Sequence, residues 1–188
     1  MNTDDKYKNL ERVNFWVTNC DSKVSYLLTL QGIILTIIFT SSYAGRLVVT
    51  LSYKLTFANF GWDSFFRFIE SVSLYSFILL ILISLYNAYS TLRARLDPKI
   101  FKEPGLVTNS VLFFETIANR SFNDFQTDQL TTTNVNSTTL DNDIDSQVFI
   151  NSKICQLKFK HYNLTLKYCK FALVAGLIYL IMTIKNGI

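Results

Sequence analysis

Residues 10–44 read LERVNFWVTNCDSKVSYLLTLQGIILTIIFTSSYA, and the fold follows from how that stretch changes character along its length. Leu10, Val13, Val17, Cys20, Val24 and Leu27 alternate spacings of three and four, which draws one apolar seam along a helix. Such a seam must be covered by another element. From Val24 to Gly45 no residue is charged, a run long enough to cross a hydrocarbon core at about 1.5 Å of rise per residue. The helix is therefore expected to start in water and continue into lipid. Gly32 is its interior breaker, tolerated better in lipid than in water, and Thr29, Thr36, Thr40 and Ser41 can return their hydroxyls to the preceding turn. Trp16 falls about two turns before lipid entry. At the boundary itself Asp21 and Ser25, four apart, share a face, while Lys23 points elsewhere and can snorkel to the headgroups. That group reads either as a polar collar or as a subunit or ligand contact.

The same design recurs at the C-terminus. From about Asp143 a helix capped by Asp143 or Asp145 carries Val148, Ile154, Cys155, Phe159 and Tyr162, and enters lipid near Tyr168. Its span, residues 166–184, holds Ala172 and Gly176 at the small-xxx-small spacing of closely packed membrane helices. Between the two long helices, residues 71–92 form another span, with Ser84 and Ala88 among its small positions. Residues 45–67 link the first two spans. There Val49, Leu51, Tyr53, Leu55 and Phe57 alternate with polar residues, a period of two that predicts a strand paired with another copy or flat at the interface. After the second span, Asp97-Pro98 and Glu103-Pro104-Gly105 break the chain. Thr108 to Gln129 then reads as one polar helix with an apolar face, and residues 131–143, rich in Thr, Asn and Asp, as a flexible loop.

The predicted fold class is an all-α membrane protein with three transmembrane helices, the first and third extended into a cytosolic helical stalk. Its divisions are a cytosolic N-terminal helix at residues 1–23, spans at 24–44, 71–92 and 166–184, an extracytoplasmic loop at 45–67, and a cytosolic helical region at 93–165. Lys6, Lys8, Arg12 and Lys23 flank the first span, and ten basic residues from Arg93 to Lys170 separate the second span from the third or border them. The loop at 45–67 has Arg46, Lys54 and Arg67, and the C-terminus has Lys185. This bias places the N-terminus and the long connector in the cytoplasm and the C-terminus outside, in a multi-pass chain. Both long helices then cross in the same direction, so their cytosolic halves can lie parallel.

In 188 residues, 49% of them hydrophobic, little remains outside the spans to build an independent enzyme core. The net charge of +4 follows from membrane topology and calls for no nucleic-acid partner. The three cysteines, Cys20, Cys155 and Cys169, lack metal-ligand spacing and read as small apolar residues, so no metal or catalytic set is expected. His161, the single histidine, reads as a surface or interface residue. No Gly-rich phosphate loop, GxSxG or pair of carboxylates inside a span is present, and the protein is not expected to be an enzyme.

Three stretches taken in order carry a resemblance. They are Leu10-Glu11-Arg12 through Thr18-Asn19-Cys20-Asp21-Ser22-Lys23-Val24-Ser25; Ser110-Val111-Leu112-Phe113-Phe114-Glu115-Thr116-Ile117-Ala118, which follows an Arg-rich, Pro-containing exit from the second span; and Asp145-Ser146-Gln147-Val148 leading through Lys160-His161-Tyr162 into the last span. With these, nearly the whole chain resembles the Pycsar effector transmembrane family, the membrane effectors of bacterial anti-phage systems paired with a pyrimidine nucleotide cyclase. Cys20 departs from the small residue expected there, and the Thr/Asn-rich segment looks expanded.

The resemblance implies abortive infection: a partner cyclase supplies cyclic CMP or cyclic UMP, and the effector impairs the membrane. No other cofactor is implied. Arg12, Lys23, Lys153, Lys158 and Lys160 offer cations to an anionic nucleotide, Asp21 sits among them, and Phe113, Phe114 and Tyr162 offer stacking faces. The same lysines are also what positive-inside topology requires. A pore needs more than one copy of three such apolar spans, so a homo-oligomer is expected, with Ser84, Ala88, Ala172 and Gly176 as its close-packing positions. The alternative is a non-toxic membrane scaffold docking a cytosolic partner.

Overall fold

The structure is a computed structural model that describes residues 3–40, 45, 49–50, 61–93, 103–107, 110–135 and 137–185; of residues 40, 114–115, 129–135 and 137–139 it describes the backbone alone. Its helices are α1 (Thr3–Thr40), α2 (Trp62–Leu92), α3 (Phe114–Ala118), α4 (Phe122–Val135) and α5 (Ser137–Lys185). Among the described residues there is no strand. Three helices, α1, α2 and α5, are long and apolar enough to cross a membrane. The all-α class with long first and third membrane helices is thus the observed one.

The chain divides into two compact units: Met1–Asp21 with Arg93–Phe159, and Ser22–Leu92 with Lys160–Ile188. In the first unit the opening halves of α1 and α5 run side by side. Thr3 donates to Asp141, Lys6 to Asp145, Asn14 accepts from Asn151, and Asp21 accepts from Lys158. The partner lies 137 to 139 residues further along the chain in every case, so the two segments are parallel and in constant register. The seam is their contact: Leu10, Val13 and Val17 are half-buried, and Cys20 is fully covered.

In the second unit the seam continues on α1 through Val24, Leu27, Gln31, Ile34 and Ile38 at the same spacing. Val24 and Gln31 have no exposure at all. Here α2 is antiparallel to α5, since Asn87, Ser84 and Glu70 meet His161, Thr165 and Thr183 in reverse order. Ile38, Leu74, Phe77, Ile81, Ala172, Ala175 and Tyr179 form the core. The faces turned away carry large exposed apolar side chains, among them Tyr26, Ile33, Ile37, Leu79, Leu82, Leu177 and Ile181. An outer apolar face around a packed interior is what lipid as solvent selects. Thr29 and Thr36 return their hydroxyls to Ser25 and Gly32 carbonyls, as their types predict.

Three sequence readings are corrected. Val49 and Thr50 are helical, against the predicted strand, and Leu51 to Phe57 lie outside the described residues. A helix satisfies its own backbone where a lone strand leaves one edge open. The helix that carries the span read at residues 71–92 begins ahead of it, at Trp62. The helix predicted over Thr108 to Gln129 is split into α3 and α4, because Ser121 starts a new helix: its Oγ accepts from Asp124 N–H at 3.1 Å and donates to the Asp124 carboxylate. The expected loop at 131–143 is helical through Val135 and again from Ser137, so Asp143 and Asp145 lie inside α5 and do not cap it. Their carboxylates serve tertiary partners instead, accepting from Val111 N–H and Lys6. The break at Glu103-Pro104-Gly105 is a turn, with Gly105 at φ +86° and Leu106 N–H on the Glu103 carbonyl.

Candidate functional site

Of the basic residues read as a nucleotide site, Arg12, Lys23, Lys153 and Lys160 are exposed. Lys158 is not: only 6% of it is accessible, and its Nζ lies 2.6 Å from Asp21 Oδ1. Spacing on α1 alone could not show that pairing, because the partner stands 137 residues away. Lys153 sits over the Phe149 ring at 5.3 Å. Phe113 and Tyr162 are half-buried, while Phe114 is helical and its side chain lies outside the described residues. Arg12, Asp21, Phe113, Lys153 and Lys158 belong to the first unit, and Lys23, Lys160 and Tyr162 to the second. The structure brings Asp21 and Lys158 together, and next to that pair Trp16 meets Phe159 edge to face at 6.3 Å.

Farther from the membrane-competent segments, the first unit concentrates charge at the start of α5. Lys6 donates to Asp145 and reaches Asp141, and the Asp145 hydrogen bond foremost, against the opposing effect of burial, raises the Lys6 pKa above its ordinary value. Val107 and Val111 N–H groups donate to Ser146 Oγ and Asp143 Oδ2, tying those two residues to α5. Beside these ties Glu103, Gly105, Asn142, Asp145, Ser146 and Phe149 line an open cavity of about 420 Å³. Its side chains offer carboxylates, an amide and a hydroxyl, a donor and acceptor set that can take ribose and base edges. Burial pushes the Cys155 thiol up, with the Lys158 charge opposing, so it is protonated at neutral pH and behaves as a small apolar group.

The second unit holds polar groups that the sequence reading passed over. Gln31 Nε2 donates to Ser84 Oγ at 2.6 Å, and Ser84 Oγ donates to the Thr165 carbonyl at 2.9 Å. His161 Nδ1 lies 3.2 Å from Asn87 Oδ1, and the Thr183 hydroxyl 3.0 Å from Glu70 Oε1. One signal was legible: Gln31 occupies the seam position after Leu27, where an apolar residue is expected. The four small positions are used inside the chain. Ser84, Ala88 and Ala172 have no exposure, and the Phe77 ring packs over Gly176 so closely that a Cβ there would lie 3.1 Å from it.

A pair of long parallel helices continuing into membrane-competent segments, a third membrane helix antiparallel to them, and a charged first unit define a small multi-pass α-helical membrane protein. The family model described as the Pycsar effector protein domain matches residues 6–184, and the chain belongs to that family. It is 36% identical over 159 residues to the Pycsar effector protein GmPycTM of Gulbenkiania mobilis, covering 82% of this chain and 79% of that one. No solved structure matches it. Membership makes it a membrane effector of anti-phage defence.

Proposed function

We propose that this effector responds to a cyclic pyrimidine nucleotide, cyclic CMP or cyclic UMP, made by a partner cyclase on infection, and that it then impairs the bacterial inner membrane as a homo-oligomer. The observation that carries the reading is that α1 and α5 pair in parallel and each continues unbroken into a membrane-competent segment. A ligand that changes their pairing shifts the population of membrane arrangements by its differential affinity for them. The lysine and arginine bias sets the N-terminus and the charged unit in the cytoplasm, where the nucleotide is made.

The nucleotide's phosphate is taken by cations of the first unit, Arg12, Lys153 and Lys158, with Phe113 supplying a stacking surface. Because Lys158 is held by Asp21, an incoming phosphate competes with that carboxylate, and binding is coupled to the α1–α5 contact. The protein acts by assembly rather than by catalysis.

The test is membrane potential and dye entry in bacteria expressing the protein, with and without a co-expressed cytidylate or uridylate cyclase. Depolarisation only with a nucleotide supports the gated effector. Intact potential with either one, in cells shown to hold the protein in their membrane, moves the assignment to a scaffold.

A further inference from the structure

We propose that, when the effector is active and its copies are assembled, the polar side chains now buried inside the second unit of each copy come to line a shared path for hydrated monovalent cations, which the packing of Phe77 and its neighbours keeps closed in the resting chain. This rests on the membrane-impairing function proposed above and specifies how impairment occurs.

The buried polar groups lie at different depths along α2. Asn87 with His161, and Ser84 with Gln31 and Thr165, stand toward one end, while Glu70 with Thr183 stands toward the other. Between them the interior is apolar: Leu74, Phe77, Ile81, Ala172 and Ala175. From Glu70 to Asn87 the helix rises about 25 Å, most of a hydrocarbon thickness. Polar layers on either side of a tightly packed apolar layer are an arrangement that can gate by dewetting. Phe77 closes that layer against Gly176, the one residue type that lets its ring approach α5 so nearly.

Two features are costly for a bundle meant only to stay shut. Gln31 Oε1 is buried with no hydrogen-bond partner, although Gln31 has no exposure at all. An unsatisfied amide oxygen inside a membrane bundle is unfavourable, and leucine would fill a static seam better. Glu70 is, among the described residues of this unit, the one acidic or basic side chain that is buried. An ionisable group inside a membrane bundle marks an ion or proton pathway by default. Both are put to use once water enters: Gln31 gains a partner, and Glu70 presents negative charge to cations and repels anions.

The test is current through planar bilayers containing the purified full chain across a potassium chloride gradient, with cyclic CMP and cyclic UMP added in turn. The expected wild-type current depends on nucleotide and reverses toward the potassium potential. Glu70→Gln, which keeps an acceptor for Thr183, is expected to lower the potassium-to-chloride permeability ratio roughly threefold or more while current persists. Ser84→Cys in a cysteine-free background is expected to be blocked by a charged methanethiosulfonate only while nucleotide is present. This second variant decides the matter if Glu70→Gln does not insert. No nucleotide-dependent current in the wild type overturns the proposed function. Wild-type current with an unchanged permeability ratio in Glu70→Gln, or with Ser84→Cys indifferent to the reagent, overturns this inference alone.

Discussion

The Asp21–Lys158 contact sets the local energetics of the first unit. A lysine that is 6% exposed must keep a counter-charge, and removing the carboxylate of this part-buried pair costs more than replacing both partners. Asp21→Asn is therefore expected to destabilise the chain by about 1–3 kcal/mol, and Asp21→Asn combined with Lys158→Met to stand closer to wild type, read by thermal unfolding in detergent. Lys6 makes a pH-dependent contribution of definite sign. Its hydrogen bond to Asp145 raises its pKa above 10.5, so folding favours the protonated form. That stabilisation is complete below 10.5 and is lost as pH rises through the higher folded value. Alkaline titration of unfolding should show a fall above that range in wild type, and a smaller one in Lys6→Gln.

The elements are held by a register as much as by their propensities. Both long helices have a three-and-four stripe, and hydrogen bonds at Asn14–Asn151 and Lys158–Asp21 keep the same offset of 137 residues. Asn14→Cys with Asn151→Cys should therefore form a disulfide-linked species under mild oxidation. Asn14→Cys with Gln147→Cys, about one turn out of register, should not, and gel mobility distinguishes them. The split into α3 and α4 was legible in Ser121-Phe122-Asn123-Asp124, a capping-box pattern hidden by the apolar periodicity on either side. The helical start of α5 was not legible, because Thr, Asn and Asp disfavour helix interiors by propensity. What overrides this are contacts to Thr3, Lys6, Val107 and Val111, all distant in sequence.

Across the whole molecule, the buried small residues decide which surfaces remain for other copies. Ser84, Ala88, Ala172 and Gly176 pack within one chain, so any oligomer of this conformation must meet through the outer faces that carry Tyr26, Ile33, Leu79, Leu82 and Ile181. Gly176→Val is expected to push on Phe77 and lower stability by about 1–3 kcal/mol, seen as a lower melting temperature of the monomeric detergent complex. A variant that changed assembly with an unchanged melting temperature would place Gly176 at a contact between copies instead.

Within the sequence alone lay the number of membrane helices, the long first and third of them, the seam on α1 and the family. Each of these depends on spacing and hydropathy along one helix or on short runs of consecutive residues, which need no knowledge of partners. Tertiary structure decided where the α1 seam meets α5, that Lys158 belongs to Asp21, that Glu70 and Gln31 face inward, and that the small residues are spent inside the protomer. Those depend on which helix stands opposite at a given height, and periodicity along one helix carries no information about its neighbour's register.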